Sequence, residues 1–265
     1  MSLIRERFRA LRKEKRCGFI PFIVAGDPDL QTTGELLSGL SQLNPVAIEV
    51  GVPFSDPAAD GAVIQRAAQR SLRKGTSLAK IFQMLKRSAP NELAPIVLFS
   101  YYNPILQFGI ERFVRRAGEC GVAGVLVVDL PSEAAAPLHQ RLAQGNIDFI
   151  FLVAPTTTDQ RLKRIARLAT GFIYAVSRTG VTGTARELAD ESQQLVSRIR
   201  AVTELPVAVG FGISTRAQAR RVCGYADAAV VGSRLVAEIE SVAARKTSSQ
   251  SAVLRSVVRC ARQFV

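Results

Sequence analysis

Histidine is almost missing from this chain of 265 residues, with His139 its only example. A metal site built on histidines is therefore excluded, as is a catalytic triad that needs a histidine elsewhere. His139 follows Leu138 within a helical pattern and reads as a surface residue rather than a catalyst. Cysteine is sparse as well. Cys17, Cys120, Cys223 and Cys260 lie far apart and form no CxxC, which predicts reduced, mostly packed thiols in a cytoplasmic protein and no disulfide framework. Long apolar runs are also lacking. The longest weakly charged stretch, 94–110, is interrupted by Pro95, Asn103 and Pro104 and falls short of the ~20 continuous apolar residues of a membrane helix, so a soluble protein with no membrane partner is expected. No linker or low-complexity segment divides the chain into two domains.

The basic residues at 5–16, followed by the apolar CGFIPFIVAG, mimic a signal peptide. Glu6 and Glu14 interrupt the basic part and Pro21 the apolar part, so the segment reads as an amphipathic helix leading into a first strand. A net charge of +13 and a pI near 10.3 raise nucleic-acid binding. The basic residues are nonetheless spread along the chain, and no RNA-binding aromatic motif accompanies RERFRALRKEKR. Attraction for anionic substrates is expected, a nucleic-acid partner is not.

Short apolar runs bounded by turn signals occur at 19–24, 46–50, 95–100, 124–128, 148–153, 172–176, 206–210 and 228–232. Helical periodicity fills 30–43, 109–121, 133–144, 159–168, 187–202 and 215–223. Apolar strands alternating with helices predict a parallel sheet covered on both faces, and the repetition predicts an α/β fold: a single (β/α)8 TIM barrel domain over 1–265. Residues 1–16 supply an N-terminal helix. Two helices, 63–73 and 78–87, follow the second strand, and 241–265 form a helical tail with a turn at TSSQS, 247–251.

The stretch AIEVGVPFSDPAADG, 47–61, carries the first chemical signal. Strand alternation puts Val46, Ile48 and Val50 on one face and Ala47 and Glu49 on the other, so if the first set packs on helices, Glu49 points into the barrel near the strand's C-terminal end. Barrel enzymes keep their chemistry at that end, and burial raises a carboxyl pKa toward the range useful for proton donation. The alternative is a core glutamate satisfied by a Tyr or Ser hydroxyl. GFGIS at 210–214 and VVGSR at 230–234 follow the seventh and eighth strands and place glycines where backbone N–H groups can approach a phosphate. SRTGVTG at 177–183 has the composition of a mobile lid or of an ordinary surface loop.

PFIVAGDP, IEVGVPFSDPAADG, YYNPIL, VVDLP, SRTGVTG, GFGIS and VVGSR, in this order and spacing, resemble tryptophan synthase alpha chains over residues 5 to about 240. The resemblance implies retro-aldol cleavage of indole-3-glycerol phosphate to indole and glyceraldehyde 3-phosphate, without cofactor or metal. It implies that Glu49 is the general acid toward indole C3 and that Asp60 holds the indole N–H. Phe22, Tyr174 and Phe211 would enclose indole and glycerol, Thr182 would be the lid threonine contacting Asp60, and Gly183, Gly212, Gly232 and Ser233 would hold the phosphate. Asp56 and Asn103 would lie on the surface that meets a tryptophan synthase beta chain in an alpha2beta2 assembly. Ala62 stands where the family usually has Pro, and Ala58 where Leu or Met is common, which implies a looser loop. Three other readings remain open at this point: a regulatory subunit without catalysis, a stand-alone indole-releasing lyase, and an Mg2+ site on Glu49, Asp56 and Asp60.

Overall fold

The computed structural model describes residues 2–88, 93–176, 185–210, 212–245 and 249–265. Its first helix, α1 (Leu3–Lys13), starts where the Ser2 hydroxyl accepts the Arg5 N–H at 3.3 Å. Ile4 and Phe8, one turn apart, form its buried face. Both pack with residues at the starts of strands, Phe8 against the Phe172 ring at 5.8 Å, so α1 covers the N-terminal mouth of the barrel.

The strands are β1 (Gly18–Val24), β2 (Ile48–Gly51), β3 (Ile96–Ser100), β4 (Val122–Val127), β5 (Asp148–Val153), β6 (Ile173–Val176), β7 (Val207–Gly210) and β8 (Ala228–Val231). They close in sequence order into a parallel barrel, with β1 paired to β8 through Gly18 opposite Ala228. The expected eight-stranded barrel is thus the fold. Each strand is buried on both faces and therefore reads as a nearly unbroken apolar run. Ile48, Val50 and Leu98 join the cluster outside the barrel, whereas Phe22, Val97, Phe99, Ile150 and Tyr174 fill its interior. Val46 departs from its expected face and packs with Ala47 in the interior cluster. It precedes Ile48, where β2 begins, so strand alternation does not govern it.

The outer layer comprises α2 (Leu30–Ser41), α3 (Ala62–Arg73), α4 (Leu78–Arg87), α5 (Tyr102–Phe108), α6 (Ile110–Glu119), α7 (Ala136–Gln144), α8 (Asp159–Leu168), α9 (Ala185–Arg200), α10 (Arg216–Val222), α11 (Ser233–Ala243) and α12 (Gln250–Ala261). The pair α3 and α4 is the predicted insertion after β2. Helix α5 is an addition where the periodicity places none. Helix α12 lies against α2 so closely that a Cβ on Gly39 would come within 2.7 Å of Leu254 Cδ1. Beyond it, the Phe264 ring stacks on Phe19 of β1 at 6.2 Å. The expected turn at 247–251 falls partly outside the described residues, and Ser249 caps α12.

One expectation fails. Cys17 and Cys223 form a disulfide with their Cα atoms 5.4 Å apart. They are 206 residues apart in sequence, and only closure of the barrel, with β1 beside β8, brings them together. Cys120 and Cys260 are free and buried, as expected of packed thiols. His139 is half-buried, 6.5 Å from the Phe149 ring. Among the described residues no helix is long and apolar enough to cross a membrane.

Candidate active site

A cavity of about 400 Å³ opens at the C-terminal end of the strands, lined among others by Phe22, Glu49, Asp60, Tyr174, Gly212 and Gly232. Glu49 reaches it because β1, β2 and β3 are in register, with Phe22 opposite Glu49 and Glu49 opposite Val97, all three facing inward. Its carboxyl is fully buried, and neither oxygen has a hydrogen-bond partner among the described residues. Desolvation alone pushes its pKa up to about 8. The reading of a core glutamate satisfied by a neighbouring hydroxyl is therefore not what the described residues present.

Tyr174, on β6, is buried in the same wall. Burial, and secondarily the Glu49 charge, hold its phenol well above the ordinary range. Two glycines make room for the rings. A Cβ on Gly51 would lie 2.7 Å from Phe22 Cζ, and one on Gly210 would fall 2.0 Å from the Tyr174 hydroxyl oxygen. Phe22 meets Phe99 edge to face at 5.3 Å, giving the cavity an apolar floor suited to a flat aromatic ring.

Asp60 comes from the loop between β2 and α3. The loop is tied internally by the Asp60 N–H donating to Pro57 O at 3.0 Å and by Gln65 Nε2 donating to Asp60 O at 2.8 Å. A second tie was not read from the sequence. The Tyr101 hydroxyl accepts the Ala59 N–H at 3.0 Å and donates to Asp60 Oδ2 at 3.2 Å. Burial raises the Asp60 pKa to about 6, with the Tyr101 hydrogen bond opposing the rise. The available signal was the tyrosine immediately after β3, a position from which barrel side chains reach the site.

Gly212 has φ +75°, a backbone state that side-chain-bearing residues avoid, and so allows the turn after β7 to line the cavity. Gly232 precedes the 11-residue α11, whose first N–H groups at Ser233 and Arg234 face the cavity end of the barrel. The Arg234 side chain turns along its own helix and donates to Glu238 at 2.9 Å. Positive helix-end potential and unpaired N–H groups together suit a phosphate.

Asp56 and Asn103 are both exposed, on the neighbouring segments that Tyr101 ties together. Asp56 takes no part in the cavity wall, and among the described residues no three His, Cys, Asp or Glu side chains converge as metal ligands would. Thr182, Gly183 and Phe211 lie outside the described residues.

A family model for the tryptophan synthase alpha chain matches residues 8–263. The tryptophan synthase alpha chain of Trichormus variabilis is 48% identical over 237 residues, covering 89% of each chain. Among solved structures, tryptophan synthase subunit alpha from Legionella pneumophila superposes with a TM-score of 0.89 at 30% identity, over 100% of this chain and 98% of that one. A structure described as the tryptophan synthase a2b2 complex of Pyrococcus furiosus, in a study of its mutual activation, contains a chain that superposes with a TM-score of 0.85 at 37% identity, over 93% of this chain and 97% of that one.

Proposed function

Because the chain belongs to the tryptophan synthase alpha chain family, it cleaves indole-3-glycerol phosphate to indole and glyceraldehyde 3-phosphate, and we propose that Glu49 and Asp60 divide the proton and charge work of that cleavage. The whole chain acts as one barrel domain in this reading. The observation that carries it is the Glu49 carboxyl, fully buried, facing the cavity and raised to about 8. At neutral pH it is mainly protonated and is a donor with no competing partner among the described residues.

Retro-aldol cleavage requires a proton on indole C3, which turns the ring into an indolenine with a positive N–H. Glu49 donates that proton and becomes a carboxylate. The same carboxylate then takes the proton of the glycerol hydroxyl next to the breaking bond. As that oxygen becomes a carbonyl, the C–C electron pair returns to the ring and restores indole. Protons balance, and Glu49 ends as it began. Asp60, with a pKa of about 6, is mainly ionised at neutral pH and stabilises the positive ring N–H. Two carboxyls with separated pKa values thus take separate roles.

Phe22 and Tyr174 enclose the ring and glycerol, with Phe211 and Thr182 as further contacts of the same class. The amides at Gly212, Gly232 and Ser233 hold the phosphate together with Gly183. Asp56 and Asn103 face a tryptophan synthase beta chain in an alpha2beta2 assembly, a reading supported by the complex seen for the Pyrococcus furiosus relative. The enzyme acts in tryptophan biosynthesis, and we place it in the cytoplasm. No step calls on a cofactor or metal.

The test is indole release from indole-3-glycerol phosphate by the purified chain, with and without a beta chain. No indole under either condition would leave a regulatory subunit as the better description.

A further inference from the structure

The Cys17–Cys223 bond lies in a groove of about 220 Å³ where β1 meets β8, and this groove shares no lining residue with the active-site cavity. Cys17 immediately precedes Gly18, the first residue of β1. Cys223 caps α10, which leads into β8, the strand that pairs with β1 to close the barrel. The Gly18 N–H donates to Asp227 O at 2.8 Å, so the bond staples covalently the junction that this backbone pairing closes. Both cysteines are partly exposed, unlike Cys120 and Cys260, which are buried with thiol pKa values raised by desolvation.

The groove is also electropositive. Arg16, Arg216 and Arg220 line it and no Asp or Glu does, so the three guanidinium groups outnumber the single terminal carboxylate that Val265 contributes to the wall. Arg16 is paired with Glu14 at 2.9 Å, whereas Arg216 and Arg220 form no ion pair among the described residues. Free cations beside an accessible disulfide attract an anionic thiol and stabilise the thiolate released when the bond opens.

We propose that the Cys17–Cys223 pair is a reversible thiol–disulfide exchange site for a small carboxylate-bearing thiol of the glutathione class. A thiolate of that class attacks one protein sulfur, the S–S bond breaks, and the other cysteine leaves as a thiolate that takes a proton from water. A second thiolate attacks the mixed disulfide, freeing the first cysteine and leaving the small thiol as its own disulfide. Two small thiols are oxidised as one protein disulfide is reduced, and the reverse reaction restores the staple. Such exchange is the usual fate of a disulfide in a reducing compartment. In the staple's absence the 206-residue loop between the cysteines is no longer constrained in the unfolded chain, so the reduced form is the less stable one.

The experiment equilibrates the full chain in mixtures of reduced and oxidised glutathione, alkylates the native protein and maps the modified cysteines by mass spectrometry. Cys17 and Cys223 should pass together between disulfide and alkylated forms, while Cys120 and Cys260 remain unmodified. Reduction rates at low salt are then compared for glutathione and uncharged 2-mercaptoethanol. An Arg216→Gln/Arg220→Gln variant should lose about three- to tenfold with glutathione, at the low end of electrostatic steering, and change less than about twofold with 2-mercaptoethanol. Thermal midpoints should fall on reduction, and Cys223→Ser should match the reduced parent. Alkylation of Cys17 and Cys223 after equilibration with oxidised glutathione alone would overturn the proposal, as would a bond that glutathione leaves intact. An unchanged glutathione rate in the arginine variant would overturn the preference for an anionic thiol.

Discussion

The Tyr101 hydroxyl stands between the loop backbone and the loop's carboxylate: it accepts the Ala59 N–H at 3.0 Å and donates to Asp60 Oδ2 at 3.2 Å. One side chain from the end of β3 thereby positions a residue on the loop after β2 and lowers its pKa against the pull of burial. Removing the hydroxyl should affect charge before it affects fold. Tyr101→Phe is expected to raise the Asp60 pKa above about 6 and to lower kcat/KM near neutral pH about two- to tenfold, matching roughly 0.5–1.5 kcal/mol for one hydrogen bond. An acid limb of the pH–rate profile that stays in place would show that Tyr101 does not tune Asp60.

In the proposed mechanism, activity requires Asp60 ionised and Glu49 protonated. Their pKa values of about 6 and about 8 therefore place kcat/KM on a bell between those limits, with its maximum near the midpoint. Activity still rising well above pH 8 would sink the assignment of Glu49 as the acid.

Glu49→Gln keeps the shape but has no acidic proton, so kcat should fall by about 10²- to 10⁴-fold at saturating substrate. Stability should move the other way. The folded-state pKa of Glu49 is raised from 4.5 to about 8, so across that window the folded protein holds a proton that the unfolded chain releases. The parent consequently loses stability as pH rises from about 4.5 to about 8, a loss the glutamine variant does not share. Thermal midpoints measured from pH 5 to 8 should diverge in favour of Glu49→Gln, and parallel curves would contradict a neutral buried carboxyl.

Gly212 adopts φ +75°, and a β-branched residue there carries backbone strain of about 1–3 kcal/mol. Gly212→Val should displace the turn that lines the cavity and weaken glyceraldehyde 3-phosphate binding by about tenfold or more, with a smaller effect from Gly212→Ala. Equal affinity for the phosphate product in Gly212→Val and the parent, by calorimetry, would remove this turn from the phosphate site.

Addition of a beta chain should raise the rate of indole formation, since docking near the exposed Asp56 and Asn103 biases the Asp60 loop toward its ordered state. Asp56→Ala and Asn103→Ala should weaken that activation while leaving the basal rate within about twofold, as expected of exposed substitutions. A chain equally fast alone and with excess beta chain would identify a stand-alone lyase.

The barrel was legible in one dimension because strand burial on both faces and helix burial on one impose local periods. The apolar runs that became β1 to β8 and the glycine turns after β7 and β8 could be located without coordinates. The inward direction of Glu49 followed from alternation along β2 once the face of Ile48 and Val50 was taken to pack on helices, where both residues do lie. Val46, two residues earlier, defeated the same rule because it lies ahead of the regular strand that begins at Ile48. The Tyr101–Asp60 bond and the Cys17–Cys223 pair had no local signature of which residues would meet. Their members flank neighbouring strands, β2 and β3 for the first and β1 and β8 for the second, whose contacts arise only when the sheet folds and closes, and a sequence pattern carries no distance between residues 41 or 206 positions apart. The pKa values of Glu49 and Asp60 have the same origin. Burial sets them, and burial is a property of the assembled wall rather than of either carboxylate's neighbours in the chain.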